Sequence, residues 1–102
     1  MTSAFRVPTN LSMANIAAVA EELRALPPGG EIVLDVAGLT SPDLSVVQLI
    51  ESLRAEARLH DGTVRLATPA DDTLTALLHR AGFVGAMTPD DNDFWFHGVP
   101  LQ

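Results

Sequence analysis

Two rhythms of hydrophobicity alternate along the chain. Ile16, Val19, Ala20, Leu23 and Leu26 recur at the spacing of one helix face, while Glu21, Glu22 and Arg24 fall elsewhere on the wheel. Asn10 or Ser12 is placed to cap that helix, and Pro27-Pro28-Gly29-Gly30 stops it. Residues 32–36, Ile-Val-Leu-Asp-Val, are near-continuous and β-branched, as in a strand covered on both faces, and Gly38 closes the run. Ser41-Pro42-Asp43 then supplies a helix cap, a first-position proline and a first-turn acid. Val46, Leu49, Ile50, Leu53 and Ala57 form the stripe of a second helix. Glu51, Arg54, Glu56 and Arg58 fall mostly on its outer side, with Glu51 set to pair with Arg54 three residues on.

Asp61-Gly62 ends this helix in a tight turn, and residues 63–67 read as a further strand. Pro69 and Asp71 introduce a third helix striped by Leu74, Leu77, Leu78 and Ala81; Gly82 stops it, and Phe83-Val84 folds back on the core. At the other end, Phe5-Arg6-Val7 is a short strand ended by Pro8. Residues 90–102 mix acids with Phe94-Trp95-Phe96 and read as a last edge strand or a loosely docked tail. The order β-α-β-α-β-α predicts a small α/β domain, a mostly parallel or mixed sheet packed by helices with right-handed crossovers. Residues 1–102 form a single domain, with a core over about residues 5–85 and a tail over 86–102.

Composition narrows the function. At 102 residues and 47% hydrophobic, the chain can bury a core without staples, and it has no cysteine for disulfide, thiolate or metal chemistry. A net charge of −7 with six Lys plus Arg repels phosphate backbones and anionic membranes, so neither a nucleic acid nor direct membrane insertion is expected. A basic partner surface would be attracted. The first ten residues hold no apolar signal-peptide core, which with the short apolar runs predicts a soluble cytoplasmic protein. Alanine and arginine outweigh isoleucine and lysine, the bias of a GC-rich bacterial genome.

Little in the chain suggests catalysis. His60, His79 and His97 lack ligand spacing, and Asp71-Asp72 reads as a helix start. Asp90, Asp91 and Asp93 lack the glycine and glutamate of a calcium loop, and Gly29-Gly30 precedes a strand where a phosphate loop precedes a helix. No nucleophile–base–orienter set is visible, so no enzyme, cofactor or metal is expected. The informative stretch is the loop over residues 39–45, leaving the carboxyl end of a parallel strand, where such sheets place ligands and partners. Ser41 caps the helix there, Asp43 answers its dipole, and Ser45 is either a small surface residue or a phosphorylation switch. A phosphate at Ser45 would sit beside free helix N–H groups, and its cost would fall on a partner that buries it.

The ordered set of elements from Glu31 to Val84 resembles the STAS domain family, which includes anti-sigma factor antagonists and sulfate-transporter C-terminal domains. The resemblance rests on the strand Ile32-Val33-Leu34-Asp35-Val36-Ala37-Gly38-Leu39, the turn Asp61-Gly62, the strand Val64-Arg65-Leu66 and the ending Leu77-Leu78-His79-Arg80-Ala81-Gly82-Phe83. It implies a regulatory module without catalysis of its own, docking the surface over residues 39–49 on a protein. The residues implied are Thr40, Ser41, Asp43, Leu44, Ser45, Val46, Gln48 and Leu49, with Ser45 at the family's phosphorylated position. Leu44 and Val46 stand where the family's switch loop carries Ser and Gly, and the family's N-terminal hairpin is reduced to one short strand. Two partner classes follow from the resemblance. One is an anti-sigma factor or serine kinase, gated by Ser45. The other is the ATPase subunit of a lipid-transport ABC transporter, or a signalling cluster, docked without phosphorylation, for which apolar Leu44 and Val46 are suited. The oligomeric state stays open.

Overall fold

The computed structural model describes residues 2–27 and 29–98, so Pro28 of the proline-glycine stop and residues 99–102 of the expected tail lie outside the described residues. The elements are β1 (Thr2–Arg6), α1 (Ile16–Arg24), β2 (Glu31–Asp35), α2 (Leu44–Leu59), β3 (Thr63–Leu66), α3 (Asp72–Arg80), a 3-10 turn at Val84–Ala86 and α4 (Pro89–Phe96). The strands make one sheet in the order β1-β2-β3, parallel throughout, with Thr2 beside Glu31 and Glu31 beside Thr63. This is the small α/β architecture expected, and α1 and α2 serve as the crossovers that parallel pairing requires.

The sheet is covered on one face only, which corrects the reading of β2 as a strand buried on both. Ile32, Leu34 and Val36 are buried, whereas Glu31, Val33 and Asp35 alternate with them and are only partly covered. Their neighbours on the same face, Thr2, Ala4 and Arg6 of β1 with Thr63 and Arg65 of β3, are exposed. Strand sequence therefore alternates after all, with Val33 the single apolar residue that masks the period. All the helices pack against the other face. Val19 and Leu23 of α1, Val46, Val47 and Ile50 of α2, and Leu74, Leu77 and Leu78 of α3 join the strand residues in one core.

The C-terminal segment departs most from expectation. Over its described residues it forms a helix, Pro89–Phe96, where an edge strand or a loose tail was expected, and buried core residues continue to Phe96. Thr88 and Asp91 form a reciprocal capping box: the Thr88 hydroxyl accepts the Asp91 N–H at 3.1 Å, and the Asp91 carboxylate accepts the Thr88 N–H at 3.1 Å. Pro89 occupies the first turn. Phe94, Trp95 and Phe96 are all buried in the common core. The Trp95 carbonyl accepts the Ala70 N–H at 2.8 Å, and His97 Nε2 lies 2.9 Å from the Leu66 carbonyl, a contact that places the ring proton on Nε2. Arg54, expected on the outside of α2, is buried beneath this helix. At α1 the helix begins at Ile16, with neither Asn10 nor Ser12 as its cap; the Asn15 side chain accepts the Ser12 N–H at 2.9 Å and closes a turn before it.

Candidate docking site

Three loops meet at the carboxyl ends of the strands, and short hydrogen bonds tie them. Thr40, in the loop after β2, donates its N–H at 2.9 Å and its hydroxyl at 3.1 Å to the Thr9 carbonyl in the loop after β1. Gly38 donates its N–H at 3.2 Å to Asp71, whose other oxygen caps α3 through the Leu74 N–H at 3.0 Å. Gly38 holds φ +82, a left-handed conformation that a side chain would strain. The loop over residues 36–43 is thereby fixed to both of its neighbours.

Asp43 is the cap of α2, which corrects the assignment of that role to Ser41. Asp43 is extended at φ −116 and ψ −178, and one carboxylate oxygen accepts both the N–H (3.1 Å) and the hydroxyl of Ser45. Its other oxygen accepts the Met13 N–H at 2.9 Å from across the loop after β1. The Ser45 hydroxyl first, and then the Met13 N–H, hold the Asp43 carboxyl below the usual carboxylate range. Ser41 is exposed and Pro42 is buried, so the chain dips inward at the proline before the helix starts two residues later than its sequence suggests.

The expected docking residues divide. Thr40, Ser41, Leu44 and Gln48 are exposed, and Asp43 and Ser45 are half-buried. Val46 is fully buried in the core and supports the surface without forming part of it, because α2 turns that position inward against the sheet. Leu49 is half-buried and lines the groove between α1 and α2. Met13 was missed. Met13 is 72% exposed and Leu44 46% exposed, and Asp43, which accepts the Met13 N–H and precedes Leu44, links the two backbones. No sequence signal marks Met13, since nothing local says that its N–H is bound by a residue thirty positions away. Asp43→Ala is expected to lower Tm by about 4–8 °C, the shift for one lost cap in a domain of this size. Amide exchange at Met13 should quicken in that variant, and an unchanged Met13 rate would show that the cross-loop bond is not made.

A family model described as "Mlab, STAS domain" matches residues 2–89. The chain belongs to the STAS domain family. No curated protein and no solved structure matches it. STAS domains are regulatory and partner-interaction modules that bind other proteins. The matched segment runs from β1 to the first residue of α4, so most of that helix lies beyond it. Among the described residues of this STAS domain, no helix is long and apolar enough to cross a membrane. Likewise, no group of three or more His, Cys, Asp or Glu is placed to hold a metal ion.

Proposed function

We propose that this STAS domain is a non-catalytic cytoplasmic module that docks constitutively on a protein partner through Met13, Leu44 and the exposed Thr40–Ser41 loop. The observation that carries the reading is that two exposed apolar residues, Met13 and Leu44, lie on loops whose backbones Asp43 draws together. Apolar anchors ringed by polar groups are the usual centre of an interface. Of the two partner classes that the family resemblance implies, the ATPase subunit of a lipid-transport ABC transporter suits this surface better, because an exposed apolar Leu44 favours a permanent interface.

A phosphoserine switch is the second reading. It is favoured by the place of Ser45 in the first turn of α2, where the helix dipole stabilises a phosphate. The local chemistry opposes it. The Ser45 hydroxyl donates to the Asp43 carboxylate, so a phosphate there would lose that bond and set a dianion against an existing negative charge.

Binding of the purified domain to such an ATPase subunit, followed by calorimetry, separates the two. Leu44→Asp is expected to weaken binding by roughly 30-fold or more, the loss of one interface anchor, while Ser45→Asp leaves it nearly unchanged. The reverse pattern would support the switch and end the constitutive reading.

A further inference from the structure

Three leucines that helical spacing assigns to the core are left only partly covered: Leu26 just beyond α1, and Leu49 and Leu53 on α2. All three line one groove of about 420 Å³ between α1 and α2, floored by Ile32 of β2. That volume falls within the roughly 300–1,000 Å³ of small-molecule sites. Short side chains, Ala20 on α1 and Ser52 on α2, are part of its walls and help keep it open. The leucines would complete their burial only with something seated between the helices.

The rim carries charged groups of both signs. Arg24, Glu56 and His60 stand at the groove. Glu56 Oε1 lies 3.2 Å from His60 Nε2, a hydrogen bond that leaves the carboxylate's charge uncompensated unless the imidazole is protonated. Arg6, Arg54, Arg58 and Arg65 each pair with a carboxylate, whereas Arg24 and Arg80 have no such pairing among the described residues, and of these two only Arg24 lies at the groove. In a chain of thirteen acids and six Lys plus Arg, an arginine left beside an apolar groove is available to an anion brought from outside. A second copy of the chain fits poorly, since it would add another seven negative charges.

We propose that the α1–α2 groove binds a single-chain aliphatic carboxylate, with its chain along Leu26, Leu49 and Leu53 and its head group on Arg24. The site begins at Leu49, past the first turn of α2, and is independent of the Met13–Leu44 docking surface. The overall charge of −7 favours a cationic amphiphile, so a preference for the anion would have to come from the rim itself.

Calorimetry on the full chain at neutral pH tests this with decanoate and decyltrimethylammonium, each kept below its self-association concentration. Decanoate is expected to bind one to one, about tenfold more tightly than the cationic amphiphile, and Arg24→Gln to remove that preference. Ala20→Phe should fill the groove and abolish uptake with the circular dichroism spectrum unchanged. Equal affinity for the two amphiphiles, or no effect of Arg24→Gln, would overturn the proposal. So would uptake of several molecules per chain near self-association, the mark of an adventitious additive only. Arg24 is exposed, so its variant remains informative even if Ala20→Phe does not fold.

Discussion

Replacing Trp95 with alanine is expected to destabilise the domain by about 3–5 kcal/mol, the range for a large aromatic removed from a packed core. Trp95 is the largest fully buried side chain. Its ring meets Phe94 edge to face, with centroids 5.0 Å apart and planes at 87°, and its indole N–H donates to Glu51 at 3.3 Å. Truncation would open a cavity between α4 and the sheet and leave Glu51 without that donor. A domain of this size holds roughly 5–15 kcal/mol in all, so the loss takes a large part of it. Urea unfolding followed by circular dichroism is the suitable measurement, because Trp95 is the only tryptophan. Trp95→Phe should cost markedly less. A change in Trp95→Ala below about 0.5 kcal/mol, the size of an ordinary surface substitution, would mean that α4 does not unfold with the rest.

The earlier elements were legible because each carries its own period and its own punctuation. Leu74, Leu77 and Leu78 mark one face of α3, Asp71 caps it, and Gly82 at φ +79 ends it with the Phe83 N–H returned to the Leu78 carbonyl at 3.0 Å. Asp61-Gly62 closes α2 as expected, although Asp61 takes the left-handed position at φ +57 and Gly62 donates to the Ala57 carbonyl. α4 was not legible by period. Phe94, Trp95 and Phe96 are consecutive, and three adjacent buried residues match neither a helix stripe nor a strand. They are buried together because the last turn of α4 is enclosed by the core, a tertiary fact. The readable signal was Thr88-Pro89-Asp90-Asp91, a capping box with proline at its first position, which announces a helix whatever follows.

Legibility at the docking site was also partial. The loop after β2 and its place at the carboxyl end of the sheet follow from local sequence, whereas Thr40, Ser41 and Leu44 enter as docking residues through the family resemblance. Which residue caps α2 did not, because Ser41 and Asp43 are both competent and the buried Pro42 decides between them. The inward turn of Val46 was implicit in its own helical stripe with Ile50 and Ala57. Met13 depended on a bond between distant loops, which no local pattern encodes.

The same stripe contained Arg54, spaced four residues after Ile50 and three before Ala57, and only its charge argued for the outside. Burial to 5% exposure is sustained by three carboxylates and a ring: Glu51 at 3.2 Å, Asp90 at 3.0 Å, Asp91 at 3.0 Å, and the face of Phe94 at 4.3 Å. Arg54→Ala is expected to cost about 3 kcal/mol at neutral pH, the low end for breaking a buried pair, because Asp90 is 76% exposed and partly screened. The variant strands three like charges around an empty place. Partial burial pushes the Asp91 carboxyl up, but the Thr88 N–H and the Arg54 guanidinium outweigh it and hold the group below its usual range. A carboxyl depressed in the folded state adds stability that is present above its unfolded pKa of about 3.9 and lost as pH falls through the folded value. Without Arg54 that depression shrinks, so acid should cost the variant less than the parent. Urea unfolding should therefore show the gap between parent and Arg54→Ala narrowing as pH is lowered from neutral to about 3. A gap that stays constant would mean that Arg54 holds α4 by packing on Phe94 and not by its charge.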